Sequence, residues 1–172
     1  MGTFFTADQH FGHKNILRYC NRPWDNINDH DLALVDLHNS CVKPDDLVYY
    51  LGDFALCAQG YIQGALQRLN GRKVLIRGNH DKPIKGHLTQ YFEEIYDYKK
   101  IVVEGQHIVL FHYPIANWHM KHYGAWHLHG HSHGNFPSSV PQQMVDVGVD
   151  MWDYKPVSFE QLKAHFDKET NK

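Results

Sequence analysis

The sequence predicts an α/β fold, and three observations support that prediction. Short apolar runs rich in β-forming residues alternate with helical patterns, as in the strand, helix and strand predicted between residues 47 and 77. Five of the apolar runs end in a small cluster of Asp, Asn or His. The length of 172 residues fits one domain, so we expect a single domain over residues 1–172 that serves one site.

Periodicity and turn residues place the elements along the chain. The predicted strands cover residues 3–7, 47–51, 73–77, 95–103, 107–111, 126–128 and 144–149. The predicted helices cover residues 29–42, after Asn28 as a cap, residues 61–69, and a short stretch near 88–92. A capping-box pattern that begins at Ser158 and ends at Gln161 predicts a final helix.

The composition argues against several classes of protein. A formal net charge of −2 leaves no large basic face, so we expect no stable binding to nucleic acid. The three cysteines, Cys20, Cys41 and Cys57, indicate neither a disulfide framework nor a thiolate zinc site, which favours a cytoplasmic protein. No apolar run approaches the roughly 20 residues of a membrane span and no signal peptide is evident, so we expect no membrane association.

Two of the polar clusters have a spacing suited to metal binding. Asp8 and His10 are two positions apart, which in an extended chain directs both side chains to one side. His131 and His133 have the same spacing. Glycines on both sides of this second pair allow the backbone an unusual path. Each pair can therefore hold one ion.

The remaining clusters contribute Asp53, Asn79 and His112. Asp53 supplies a carboxylate that can bridge two ions, and Asn79 supplies an amide oxygen. Each cluster alone is more often a turn or a hydrogen-bonded residue than a ligand. Together, in the order DxH, GD, GNHD, H and GHxH, they form a pattern that chance rarely reproduces in a chain this short. Because sites in open α/β sheets form beyond the carboxyl ends of strands, we expect the clusters to meet.

This pattern resembles that of the calcineurin-like metallophosphoesterases. The resemblance extends from Asp8 to His133 and implies a four-layer α/β/β/α sandwich of two mixed sheets flanked by helices. It also implies two divalent metal ions, Mn as the first choice and Fe, Ni, Co or Zn as alternatives. By the resemblance, one ion is held by Asp8, His10, Asp53 and His133, and the other by Asp53, Asn79, His112 and His131.

The resemblance also implies catalytic roles for two further residues. His80 matches the non-ligand histidine of the family, which stabilises developing charge or protonates the leaving oxygen. Asp81 is expected to hold the other nitrogen of His80. The alternative is that both residues only shape a turn after Asn79.

Substrate contacts are less well indicated. Arg18, Arg22 and Arg77 are candidates for binding the substrate phosphate, because a guanidinium matches phosphate geometry, but solvated or sheet-edge charges are an equal alternative. His13 is a candidate for a residue near the site or for a surface hydrogen bond. Four large aromatic residues are candidates either for stacking on a base of the substrate or for packing in the core. They are Trp24, Tyr113, Trp118 and Trp126.

These features predict a binuclear metal-dependent phosphoesterase. The expected substrate is a small phosphodiester, such as a cyclic nucleotide or a dinucleotide, attacked by a hydroxide held between the ions. The alternatives are a nuclease acting on DNA or RNA and a scaffold of the same fold that binds proteins with little or no activity. The sequence leaves the oligomeric state open.

Overall fold

Two β-sheets dominate the computed structural model, which describes residues 1–136 and 141–170, the last two of these by backbone alone. The strands are β1 (Thr3–Thr6), β2 (Leu47–Tyr50), β3 (Arg72–Ile76), β4 (Glu94–Tyr96), β5 (Tyr98–Val103), β6 (Gln106–Phe111), β7 (Trp126–His129), β8 (Met144–Asp146) and β9 (Val157–Ser158). The α-helices are α1 (Ile16–Tyr19), α2 (Ile27–Cys41), α3 (Gln59–Arg68) and α4 (Phe159–Thr170). Short 3-10 helices span Gly86–Tyr91, Lys121–Tyr123 and Val149–Met151.

Both sheets are mixed. The first has the strand order β4-β3-β2-β1-β9, with all pairs parallel except the antiparallel pair of β1 and β9. The second has the order β5-β6-β7-β8, in which only β5 and β6 are antiparallel. The predicted α/β class, with two mixed sheets and flanking helices, is confirmed.

Alternation along the strands of the first sheet produces two cores. In β2, Val48 and Tyr50 face α2 and α3, whereas Tyr49 faces the second sheet, since successive side chains point to opposite faces. The inner core between the sheets also receives Phe159 and Phe166 of α4. The outer face of the second sheet packs against the segment of residues 115–125.

The elements differ from the predictions at several boundaries, of which three are instructive. The run at residues 95–103 is two strands rather than one, because the chain leaves the first sheet at β4 and enters the second at β5, with Asp97 between them. Helix α2 begins earlier than predicted, and its cap is Asn26, whose side chain accepts a hydrogen bond of 3.0 Å from the Asp29 backbone. Strand β9 has two residues, too few to leave a periodic pattern.

The capping box at the start of α4 forms as predicted. The Ser158 hydroxyl accepts from the backbone N–H of Gln161 at 3.2 Å, and the Gln161 side chain accepts from the backbone N–H of Ser158 at 2.9 Å. In the part of the chain that the structure describes, no helix is both long and apolar enough to cross a bilayer.

His38, buried in α2, should make stability depend on pH. Burial lowers the pKa of this imidazole from 6.5 to about 4, although its Nε2–H donates to the Asn70 carbonyl at 3.0 Å. Between these values the unfolded chain binds a proton that the folded chain does not, so the free energy of unfolding falls as the pH decreases from 6.5 to 4. At about 1.4 kcal/mol per pKa unit, the loss is of the order of 3 kcal/mol.

We therefore expect His38→Gln to flatten this part of the pH profile. The measurement is urea unfolding at several pH values between 4 and 7, compared with His107→Gln, which alters an exposed histidine of β6. Parallel profiles for wild type and His38→Gln would contradict the expectation.

Candidate metal centre

Five of the predicted clusters lie together where strands of both sheets end. Two groups of side chains form there, and within each group one potential ligand atom per residue lies within 4.8 Å of the others. Group A consists of Asp8, His10 and His133, and group B consists of Asp53, His112 and His131. This division agrees with the predicted one, in which Asp53 also belongs to the first ligand set and Asn79 belongs to the second.

Asp53 lies between the two groups. One carboxylate oxygen is 3.7 Å from Nε2 of His10, and the other is 3.5 Å from Nε2 of His112. Asn79 adjoins group B, since its Oδ1 is 3.2 Å from Nε2 of His112 and accepts from the hydroxyl of Tyr113 at 3.3 Å. The structure thus brings all seven predicted ligand residues to one place.

Group A contains buried polar atoms that lack a protein partner. Oδ1 of Asp8 and Nε2 of His10 are both buried without a hydrogen bond. Such atoms are costly unless something satisfies them. Burial raises the pKa of Asp8 well above its usual value and lowers the pKa of His10 to about 2, so the imidazole is neutral, as a metal ligand must be. A cation coordinated by these atoms removes both costs, so the residues fit a metal.

Hydrogen bonds to oxygen atoms orient two of the ligand histidines. His112 donates from Nδ1 to the Leu51 carbonyl at 2.7 Å, which leaves the lone pair of Nε2 facing group B. His133 places Nδ1 2.8 Å from Oδ2 of Asp150, and although burial opposes the shift, this bond helps to raise the pKa of His133 to about 10, so a metal ion would have to displace a proton from its Nε2. A partner on the second ring nitrogen is a usual feature of histidines that bind metals.

The backbone at the ligand positions adopts an unusual conformation. Positive φ angles occur at Asp8 (61°), His10 (53°), Asp53 (54°), His131 (70°) and His133 (47°). These are five of the ten described non-glycine residues with positive φ. The left-handed region costs roughly 1–2 kcal/mol per residue, and such strain clusters at functional sites. The backbone therefore supports the assignment without reference to side-chain chemistry.

Glycines let the strand ends approach one another closely. A Cβ atom on Gly130 would lie 2.6 Å from Oδ2 of Asp8, and one on Gly52 would lie 2.5 Å from Nδ1 of His112. Both distances are below contact, so a larger residue at either position displaces a ligand. In addition, the backbone N–H of His131 donates to Asp8 at 2.8 Å and joins the end of β7 to the end of β1.

His80 and Asp81 have different surroundings. His80 lines the cavity beside the two groups, with 36% of its side chain exposed and its Nε2 3.8 Å from Asp53. Asp81 is fully buried and accepts from the backbone N–H groups of Asp53, Phe54 and Gly78 at 2.7–2.9 Å. The expectation that Asp81 orients His80 is therefore wrong: its carboxylate holds the loops that carry Asp53 and Asn79.

Two of the three candidate arginines are committed to other contacts. Arg22 has a fully buried side chain that pairs with Asp150, and Arg77 donates to the Ile84 carbonyl at 3.1 Å. The expectation that Arg22 contacts the substrate is wrong, because a buried, paired guanidinium has no free donor. Arg18 lies on α1 with its guanidinium 5.5 Å from the Tyr19 ring. Arg18 and the half-buried Arg77, which uses one donor, therefore stay candidates.

A cavity of about 440 Å³ opens beside both groups. Its polar wall contains ligand residues and His80, together with His13, whose Nδ1 lies 3.3 Å from Nδ1 of His10. The lining also includes the apolar side chains of Ile16, Leu56 and Tyr19, of which Tyr19 is 63% exposed. The cavity therefore combines potential metal ligands with apolar surface.

None of the four aromatic residues named from the sequence lines this cavity. Trp118 and Trp126 are buried in the cores, and Trp24 packs against His30 and Tyr154. Tyr113 is partly exposed, with its ring 4.7 Å from that of His131. Of these four residues, only Tyr113 is placed near the candidate metal centre.

Two residues that no sequence pattern indicates adjoin group A. Asp150 and Cys20 have potential ligand atoms within 4.8 Å of His133 and of each other. Asp150 follows His133 by 17 positions, in a 3-10 helix with no recognisable motif. No sequence signal marks either residue, because their contacts arise only from the tertiary fold.

Comparison with known proteins identifies relatives of nearly the same length. The uncharacterized protein MJ1445 of Methanocaldococcus jannaschii is 33% identical, over 96% of this chain and 91% of its own. The gene 66 proteins of Mycobacterium phages L5 and D29 are 30% and 31% identical, each over 87% of this chain and over 87% and 88% of their own. The crystal structure of AQ665 from Aquifex aeolicus, a protein of unknown function, is 28% identical, covers 95% of this chain and 98% of that chain, and has a TM-score of 0.76. No family model matches the chain.

The fold and the site agree with the resemblance seen in the sequence. Two mixed sheets flanked by helices, with potential metal ligands gathered at the strand ends, are the arrangement that a resemblance to the calcineurin-like metallophosphoesterases implies. The chain belongs to the family that contains MJ1445 and the phage gene 66 proteins. Because the names of these relatives state no activity, the reaction has to be inferred from the site.

Proposed function

We propose that this chain, as one domain over residues 1–172, is a cytoplasmic phosphoesterase with two divalent metal ions and a small phosphodiester substrate. The observation that carries the proposal is the position of Asp53. Its two carboxylate oxygens approach His10 of group A at 3.7 Å and His112 of group B at 3.5 Å. A carboxylate so placed is suited to bridge two ions.

The proposed ligands define the metal and the charge of the site. Imidazole nitrogens, carboxylates and one amide oxygen accept Mn, Fe, Ni, Co or Zn, of which we propose Mn first. Two divalent ions, when bound, supply positive charge for the phosphoryl oxygens and activate a water molecule. Asp8 and Asp53 neutralise only part of that charge, so the loaded site attracts an anionic ester.

His80 is the proposed catalytic side chain. Its backbone N–H donates to Asp53 at 2.9 Å, which holds the main chain of His80 close to the carboxylate that lies between groups A and B. Its imidazole faces the cavity and is partly exposed, so it can reach a bound ester. In this position it can donate a proton to the leaving oxygen or stabilise the charge that develops there.

The cavity favours a compact substrate. A volume of about 440 Å³ accommodates a molecule of nucleotide size. The formal net charge of −2 gives no general attraction for long nucleic acid, which makes the nuclease alternative less suitable. Exposed Tyr19 and Leu56 supply apolar area for the ester group that leaves.

Metal removal is expected to abolish diester hydrolysis, and metal addition is expected to restore it. The measurement follows bis-p-nitrophenyl phosphate and p-nitrophenyl phosphate with chelator-treated protein, before and after addition of Mn, Ni or Zn. We expect faster hydrolysis of the diester than of the monoester with Mn present. A protein that takes up metal but cleaves neither ester would favour the scaffold alternative.

A further inference from the structure

Arg22 is the centre of a buried hydrogen-bond network behind group A. Its Nε and Nη2 donate to the two carboxylate oxygens of Asp150 at 2.8 and 2.7 Å. Nη2 also donates to the backbone carbonyl of Asp8 at 2.7 Å, and Nη1 donates to that of Gln9 at 3.0 Å. The fifth N–H points to Nε2 of His30 at 2.9 Å. All five donors of the guanidinium are therefore used.

The hydrogen bonds of this network determine which ring nitrogen of His30 carries the proton. Because a guanidinium donates and cannot accept, Nε2 of His30 must be the acceptor and its Nδ1 must carry the proton. That proton is donated to Oδ1 of Asp31 at 2.6 Å. The other oxygen of Asp31 accepts from the backbone N–H of Gly12 and from the Tyr61 hydroxyl, each at 2.8 Å. His30 and Asp31 of α2 therefore hold the guanidinium in place.

Two contacts of the network reach group A. Asp150 accepts from His133 through the same oxygen that accepts from Arg22. The carbonyls of Asp8 and Gln9 belong to the segment in which Asp8 and His10 hold the left-handed conformation. One side chain therefore stabilises both a ligand ring and the strained backbone that carries the other two ligands.

We propose that Arg22 and Asp150 are positioning residues for group A, acting through His133 and through the backbone of residues 8 and 9. The proposal rests on the metal centre of the proposed function. It does not require that the centre hydrolyses an ester. Among the described residues, group B adjoins group A but makes no hydrogen bond to this network. A change in Arg22 or Asp150 should therefore weaken the binding of one of the two metal ions and not of the other.

The test measures metal affinity of the full chain by competition with a chromogenic chelator, using Mn²⁺ and Co²⁺. Wild type should bind two equivalents. Asp150→Asn should weaken one equivalent about 10- to 100-fold and leave the other within about twofold. Arg22→Lys keeps the buried charge but loses the planar five-donor arrangement, so it should weaken the same equivalent to a smaller extent, and it serves as the test if Asp150→Asn does not fold.

The matched control is Glu93→Gln. Glu93 accepts two hydrogen bonds from Arg72, at 2.6 and 2.8 Å, in the same paired geometry as Asp150 and Arg22, but on the exposed surface. It should change neither equivalent. Equal loss of both equivalents in Asp150→Asn, no loss of either, or a wild type that binds no metal would each overturn the proposal. A wild type that binds two ions yet cleaves no ester would contradict only the proposed function.

Discussion

Asp53→Asn is expected to lower diester hydrolysis by at least about a thousandfold. The substitution removes the negative charge between the two groups while keeping the size of the side chain. A loss of roughly 4 kcal/mol of transition-state stabilisation corresponds to that factor, and metal centres supply several kcal/mol. Because Asp53 contacts both His10 and His112, the metal content should fall below two ions per chain.

The measurement combines kcat/KM for bis-p-nitrophenyl phosphate with metal analysis of the purified protein. Asp46→Asn is the control, since Asp46 is another buried carboxylate whose partners, the backbone N–H groups of Gly2 and Lys43, lie at the start of β1 and before β2. That variant should lose stability but keep two ions and most of its activity. Wild-type activity in Asp53→Asn would remove the main support for a binuclear centre.

His80→Ala is expected to slow hydrolysis by about 10²- to 10⁴-fold while the protein keeps both ions. General acid–base groups typically contribute factors of that size. The side chain of His80 is not a member of group A or group B, so its removal takes away no ligand. The backbone N–H that donates to Asp53 also remains, so the geometry of that carboxylate is preserved.

Leaving-group dependence distinguishes this role from a structural one. A p-nitrophenolate leaves readily without a proton, whereas an alkoxide does not. The loss in His80→Ala should therefore be smaller for bis-p-nitrophenyl phosphate than for a dinucleotide. His87→Ala, which alters an exposed histidine of the 3-10 helix Gly86–Tyr91, should match wild type with both substrates. Equal losses with both esters would argue against proton donation by His80.

Local patterns predicted most of the fold and the gathering of the ligand residues. The apolar runs are visible in sequence because strands buried on both faces are apolar along their whole length, and the runs are followed closely by Asp8, Asp53, Asn79 and His112. The parallel pairing of β1, β2 and β3 then places the first three of these residues at one edge of the first sheet. The prediction succeeded where chemistry lies directly after a strand.

Such local patterns do not predict contacts between distant segments of the chain. Arg22 and Asp150 are separated by 128 positions, and neither lies in a motif, so their pairing becomes visible only in three dimensions. Asp81 was assigned to the wrong partner for a similar reason. Its neighbour in sequence is His80, but its hydrogen bonds reach back to Asp53 and Phe54. The positive φ angles of the ligand residues also result from the tertiary structure. Asp and His adopt such angles only rarely, so their presence in a sequence does not predict them.

The distribution of ligands between the sheets has a mechanical consequence. Asp8 and His10 follow β1 of the first sheet, whereas His133 follows β7 of the second, and group B likewise joins Asp53 to residues after β6 and β7. A bound ion would therefore link segments that are distant in sequence, as a disulfide does, by more than a hundred residues in group A and by more than fifty in group B. The covalent joint between β4 and β5, Asp97, lies at the same end of the strands, since Tyr96 pairs with Ile76 and Tyr98 pairs with Phe111. Bound ions would add a second link between the sheets at that end. With ions bound, sliding of one sheet over the other would break bonds between metal and ligand, so the proposed centre would also hold the two sheets together.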